Sequence, residues 1–268
     1  MILRPQIQDI KIIGQYSGRV ILGLGLLMLI PLLVGVIFNE WAAVLNFVIS
    51  ASICLIAGYL LILTCFTRKE LTFKHGMVVV ALSWLLAMLF GAIPLYLSQH
   101  WGSFLDACFD AMSGFATTGL ALVQDLDHLS HAQNMWRHLM MFIGGQGIMI
   151  VGLSFLVRGA ASALPIYLGE AREEKVLPNV VQSARFIWLV SLVYLLLGTA
   201  ALCFTAYTAG IPLNRSFLHG LWLTMAAWDT GGFTPQSQSI LYYHSFVFEL
   251  ITVSLMFLGS LNFSLHYA

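Results

Sequence analysis

The sequence predicts an all-α polytopic membrane protein: two N-terminal transmembrane helices, then two parallel repeats of helix, re-entrant half-helix and helix. Three observations predict it. The 268 residues are 59% hydrophobic and only 9% charged, with a mean hydropathy of +0.88, whereas an average soluble domain is about 25% charged. Six apolar runs reach span length, which takes about 20 residues. Two half-length apolar segments, each running into a glycine, recur at matching places in the chain. The net charge of zero points to no nucleic-acid partner and no acidic tail.

The chain opens with Arg4, Lys11 and Arg19 spread over a polar lead. The apolar run that follows is span-length and lacks a small-x-small cleavage site, so a signal peptide is not expected. The span-length runs fall at about Val20–Phe38, Trp41–Phe66, Met77–Leu97, Met135–Leu156, Phe186–Ala209 and Phe246–Tyr267. The half-length segments, Ser103–Phe115 and Ser216–Trp228, lie after the third and fifth runs. This divides the chain into a two-helix segment (residues 1–75), a first repeat (76–160) and a second repeat (161–268) that ends within its last helix. Ten of the 12 basic residues then share one side, leaving Arg137 and Arg215 on the other. The positive-inside rule makes the crowded side cytoplasmic, with the N-terminus there and both half-helices dipping in from outside. Cys54, Cys65, Cys108 and Cys203 sit singly in apolar segments, without zinc or disulfide spacing, and read as buried thiols.

Internal repetition carries the organisation. With Gly119 set over Gly232, an offset of 113, Ser103-Phe104-Leu105 falls on Ser216-Phe217-Leu218, Met112 on Met225 and Thr117 on Thr230. Phe109 and Phe115 meet Trp222 and Trp228. Ile93-Pro94-Leu95 recurs as Ile211-Pro212-Leu213, and Met141-Phe142-Ile143-Gly144 as Met256-Phe257-Leu258-Gly259. An even number of spans per repeat makes the two parallel.

Ser103 and Ser216 are expected to cap the half-helices, with Asp106 completing a capping box after Ser103. A half-helix of roughly 20 Å reaches past the bilayer centre and aims its partially negative end at a cation there. Glycine then lets the backbone turn and present carbonyls that replace a hydration shell. The alternative is a glycine that merely allows close helix packing. Two such breaks in a repeated unit favour the ion path.

These residues resemble a known family. Asp106-Ala-Cys-Phe-Asp-Ala-Met-Ser-Gly-Phe-Ala-Thr-Thr-Gly119, Trp136-Arg137 and Phe142-Ile-Gly-Gly-Gln-Gly-Ile148 resemble the first repeat of Trk/Ktr/HKT-type potassium transporters. Thr224-Met-Ala-Ala-Trp-Asp-Thr-Gly-Gly-Phe-Thr234 and Leu258-Gly-Ser-Leu-Asn-Phe-Ser-Leu-His-Tyr267 resemble the second, in the TrkH-like branch. The resemblance implies a potassium-channel-like pore of four repeats, each giving one strand of a carbonyl-lined selectivity filter. It places Ala116, Thr117, Thr118, Gly119 and Leu120 in the first strand and Asp229, Thr230, Gly231, Gly232 and Phe233 in the second. Within these, K+ would be held at Thr117, Thr118, Gly119, Thr230, Gly231 and Gly232 as cargo, with no tightly bound cofactor. The resemblance further implies potassium uptake across a bacterial inner membrane, a homodimer, and a cytosolic TrkA-type nucleotide-binding gating ring. Two of four repeats are present, so the chain reads as a truncated subunit lacking C-terminal repeats, or as a short one that completes its pore by pairing. Whether uptake is passive or a symport with protons or sodium stays open.

Other residues are weighed beside this. Asp106, Asp110, Asp125, Asp127 and Glu40 fall near the outer face, as pore-mouth acids or as ordinary loop acids, and Asp110 is the strongest of them. Asp229, at membrane depth, faces the ion path or pairs behind the filter. Arg137 is expected to brace the filter loop through Asp125 or Asp127. Glu249 reads as an interfacial side chain. Gly144, Gly145 and Gly147 read as close-packing positions. Trp41, Trp84, Trp101, Trp136 and Tyr242-Tyr243 suit membrane interfaces. The eight histidines show no ligand spacing. A non-conducting fragment or structural membrane subunit is the alternative function. A remote one is an intramembrane serine protease using Ser113 and His138, although the leading glycine of G-x-S is missing at Ala111.

Overall fold

The computed structural model describes residues 6–69, 71–147 and 180–266. Among them the regular structure is helical: α1 (Ile7–Leu27), α2 (Leu29–Ile37), α3 (Trp41–Thr64), α4 (Phe73–Leu97), α5 (Phe104–Phe115), α6 (His131–Gln146), α7 (Val180–Thr208), α8 (Leu213–Trp228) and α9 (Phe246–Ser260). Short 3-10 turns follow at Ser239–Tyr243 and Phe263–His266. Among the described residues, four helical stretches, counting α1 and α2 together, are long and apolar enough to cross a membrane. Their outward faces carry bare aliphatic side chains such as Leu196 and Leu197 on α7, as lipid-facing helices require.

The first span begins earlier than its hydropathy suggested, because the polar lead from Ile7 is already helix. It breaks at Met28, where Pro31 in the first turn of α2 has no N–H to give to Leu27. The fourth predicted span is helical to Gln146, and its remainder lies outside the described residues. The sixth stops short, since α9 ends at Ser260 and the chain turns into extended backbone at Leu261.

α1 lies along α3, where a β-carbon on Gly18 would stand 2.9 Å from the Gly58 carbonyl oxygen. This pair packs on α4, and α2 packs on α6. Between α2 and α3, Glu40 accepts hydrogen bonds from the backbone N–H groups of His131 (2.8 Å) and Ala132 (3.0 Å). A loop carboxylate thus satisfies free N–H groups at the start of α6 and suits its dipole. α4 packs on α5 and α5 on α6, α7 packs on α8 and α8 on α9, and α8 also packs on α6. Trp136, Trp222, Trp228, Phe115 and Arg137 are fully buried there. Trp136 is therefore a core residue and not an interfacial one, with its indole N–H given to the Gly91 carbonyl (2.9 Å). Trp101 and Tyr243 are also buried.

The two half-helices start differently. Ser103 caps α5, its hydroxyl accepting from the Asp106 N–H at 3.1 Å. Ser216 is no cap: α8 begins a turn earlier after Pro212, and Ser216 gives its hydroxyl to the Ile211 carbonyl. Pro94, the sequence match of Pro212, instead lies inside α4. The repeated Ile-Pro-Leu does not mark equivalent positions.

Candidate functional site: paired turns at the ends of two half-helices

Both half-helices end in the same way. In α5 the N–H of Thr117 bonds to the Gly114 carbonyl (3.0 Å) and that of Thr118 to the Ser113 carbonyl (2.8 Å). In α8 the N–H of Thr230 bonds to Ala227 (3.1 Å) and that of Gly231 to Ala226 (2.8 Å). This is a Schellman closure, whose left-handed residue is usually glycine. Here that residue is threonine, at φ +52° in Thr117 and +51° in Thr230. A β-branched residue in this region is a true outlier and costs about 1–3 kcal/mol. The same strain in both copies marks the turns as candidate functional elements.

Two residues on, Gly119 (φ +80°) and Gly232 (φ +92°) are again left-handed, where only glycine is comfortable. The turns meet each other: a β-carbon on Gly119 would overlap the Gly231 carbonyl oxygen. Each turn is also seated from behind. A β-carbon on Gly144 would overlap the Phe115 carbonyl oxygen, and one on Gly259 would overlap that of Trp228. The glycines of the repeated Met-Phe-(Ile/Leu)-Gly motif therefore receive the last carbonyl of the half-helix in their own repeat. Gly145 instead makes room for the Asp229 carboxylate, and Gly147 (φ +91°) ends α6.

The side chains divide into those that hold the turns and those that lie apart. Asp110 is fully buried, and its Oδ1 accepts from the Leu122 N–H at 2.5 Å, which ties down the strand after Gly119. Arg137 is buried behind the second turn. Its Nη1 donates to the Thr234 carbonyl (3.4 Å), and its guanidinium lies 4.2 Å from the centre of the Phe233 ring. Bracing through Asp125 or Asp127 is not what the structure shows. Asp125 bonds His128 and Asp127 bonds Ser237, so Arg137 acts on the turn directly. Asp229 is buried at the end of α8 and accepts from the Gln146 amide at 2.9 Å. Phe233 is buried and packs on Gly114 of α5, while its counterpart Leu120 is 59% exposed. Ala116 is the last cap of α5. Glu249 sits in the first turn of α9, where its charge suits the helix dipole. Asp106 lies in the first turn of α5, likewise well placed.

Sequence reasoning missed Gln146, Met141 and Ser237. Met141 Sδ accepts from the Phe233 N–H at 3.4 Å, and Ser237 gives both its N–H and its hydroxyl to Asp127, joining the loops that follow the two turns. Their pairing depends on packing between repeats, and the sequence carries no local signal for it. Ser113 and His138 are both buried but form no nucleophile–base pair: the Ser113 hydroxyl has no partner among the described residues, and His138 Nδ1 faces the Asn134 carbonyl. No group of three or more His, Cys, Asp or Glu side chains among the described residues could hold a metal ion.

Apolar spans around two half-helices that end in strained, mutually touching turns describe a polytopic, all-helical membrane protein. The family described as TrkH, cation transport protein, matches residues 43–268, and the chain belongs to it. It is a family of transporters and not of enzymes. An uncharacterized cation transporter of Methanocaldococcus jannaschii is 33% identical over 97% of this chain and 52% of its own length. The Trk system potassium uptake protein TrkG of Escherichia coli is 27% identical over 96% of this chain and 53% of its own. The crystal structure of the potassium transporter TrkH from Vibrio parahaemolyticus superimposes with a TM-score of 0.76 at 26% identity, over 98% of this chain and 52% of that one. The chain thus spans about half the length of the relatives it matches.

Proposed function

We propose that this chain supplies two of the strands of a potassium uptake path, with residues 116–120 and 229–233 as the strands. K+ would be coordinated by backbone carbonyls of Thr117, Thr118, Gly119, Thr230, Gly231 and Gly232. The observation that carries the reading is the pair of left-handed threonines, each followed two residues later by a left-handed glycine, in turns that touch. Alternating backbone handedness aims successive carbonyls to one side, which is what replacing an ion's hydration shell demands. The half-helix C-termini add partial negative charge behind the strands. Asp110 and Arg137 would hold the strands in place, and Asp125 would lie at the mouth.

The reading extends to the rest of the assembly. The repeats run from 76 to 160 and from 161 to 268, preceded by a two-helix segment at 1–75. The N-terminus lies in the cytoplasm of a bacterial inner membrane, given the placement of basic residues. Further repeats, or a second copy, complete the ring of strands, and a cytosolic TrkA-type ring gates it. Relatives of this chain, TrkG of Escherichia coli among them, are named as Trk system potassium uptake proteins, which supports the choice of ion.

Complementation of a host that cannot take up potassium tests this. Growth at low potassium is expected when the chain is expressed with two further repeats of a family member, and is expected to be lost on Gly119→Ser or Gly232→Ser. Growth that survives both substitutions would refute the assignment. Growth with the chain alone would show that copies pair to close the ring.

A further inference from the structure

Behind the second turn lies a closed ring of hydrogen bonds that the carbonyl-lined path does not itself use. Trp228 Nε1 donates to the Ser191 hydroxyl oxygen (3.0 Å). Ser191 donates to Gln146 Oε1 (2.8 Å), and Gln146 Nε2 donates to Asp229 Oδ1 (2.9 Å). Trp228 and Asp229 are neighbours in sequence, so the ring returns to the peptide it left. Its direction is forced. Indole is only a donor and a carboxylate only an acceptor, so the amide of Gln146 has one orientation that satisfies both sides. All four side chains are buried: Gln146 at the end of α6, Trp228 and Asp229 at the end of α8, and Ser191 within α7. In such surroundings a mismatched donor or acceptor costs its full desolvation.

Two placements give the ring a purpose. Asp229 precedes the strained Thr230, so whatever orients its carboxylate also sets where the second strand begins. Gln146 is the last residue of α6, and Gly147 after it turns left-handed. The first turn carries no matching pair: Phe115 and Ala116 stand at the positions of Trp228 and Asp229, with neither an indole donor nor a carboxylate. The second turn is wired to the end of a helix from the neighbouring repeat.

We infer that Gln146 is a positioning residue, which fixes the start of the second strand through Asp229 and couples it to the end of α6. The inference rests on the ion-path reading above. It acts through geometry and not through contact with the ion.

The test exploits the forced direction of the ring. Gln146→Glu sets two carboxylates against each other, whereas Gln146→Glu with Asp229→Asn restores a matched donor at every link with the polarity of one pair reversed. In the full transporter chain reconstituted in vesicles, Gln146→Glu is expected to lower the preference for K+ over Na+ about tenfold, and the double variant to recover to within about threefold. Ser191→Ala, which buries no new charge, is expected to lower it by about threefold. Should Gln146→Glu fail to fold, Ser191→Ala and the double variant decide. Wild-type selectivity in folded Ser191→Ala or Gln146→Glu protein, or a double variant as poor as Gln146→Glu, would overturn the inference. Gly232→Ser separates this from the parent reading: altered selectivity there with none in the ring variants sinks only the inference, and unaltered selectivity in all sinks both.

Discussion

The carbonyl oxygen of Phe115 rests on the α-carbon of Gly144, so closely that no β-carbon would fit between them. The half-helix α5 therefore delivers its last carbonyl to a surface cut for it on the next helix of the same repeat, and α8 does the same against Gly259. Gly144→Ala is expected to destabilise the protein by about 3 kcal/mol, since backbone on both sides of the contact must shift. Gly210, left-handed but in open space, provides the comparison. Its alanine variant carries backbone strain alone and is expected to cost about 1 kcal/mol. Thermal unfolding in detergent would rank the two.

Thr117 and Thr230 hold a conformation their side chains oppose. Replacing either with glycine removes strain of about 1–3 kcal/mol and adds roughly 0.4–1 kcal/mol of unfolded-chain entropy. The melting temperature is expected to hold or rise while K+ over Na+ selectivity falls. A fall in both would show that the threonine side chains stabilise the turn.

Glu40 links the N-terminal helices to α6. Burial works to raise its pKa, but hydrogen bonds from the His131 side chain and from the backbone of Ala132 and His131 outweigh this and hold the carboxyl below its usual value of 4.5. A depressed carboxyl stabilises the fold above its unfolded pKa, and the contribution is lost as pH falls through the folded one. Glu40→Gln is expected to cost about 1–2 kcal/mol at neutral pH and less at an acid pH below the lowered value. Unfolding midpoints at the two pH values check it.

Asp127 and Ser237 clasp the loops after the two turns, 110 residues apart in sequence. The Ser237 hydroxyl first, then its backbone N–H, hold the Asp127 carboxyl below its usual 3.8. The clasp is therefore present above about pH 4 and lost as pH drops through the lowered value. A double-mutant cycle of Asp127→Asn and Ser237→Ala is expected to show a coupling of about 1 kcal/mol at pH 7 that vanishes in acid. Additivity at pH 7 would mean the loops are held by other contacts.

Much of this was readable without coordinates. Long apolar runs report membrane helices because lipid leaves the backbone few other forms. The matched order of Met112, Thr117 and Gly119 with Met225, Thr230 and Gly232 located both turns, because a helix end in a fixed closure needs particular residues at fixed spacing. Local chemistry writes itself into local sequence.

What local sequence could not decide was which side chains meet across the repeats. Arg137 reaches Thr234 across 97 residues, and Gln146 reaches Asp229 across 83. Ser216 looked like a cap beside Ser103 until Pro212 started α8 a turn earlier. Asp110, Arg137 and Asp229 were visible as charges out of place in an apolar chain. Their partners followed only from how α6 packs between α5 and α8. The sequence by itself determined the long apolar helices and the two turns, since each depends on residues within a few positions of one another. The tertiary structure alone decided how the turns face each other and what holds them from behind, since those contacts exist only once distant helices are packed.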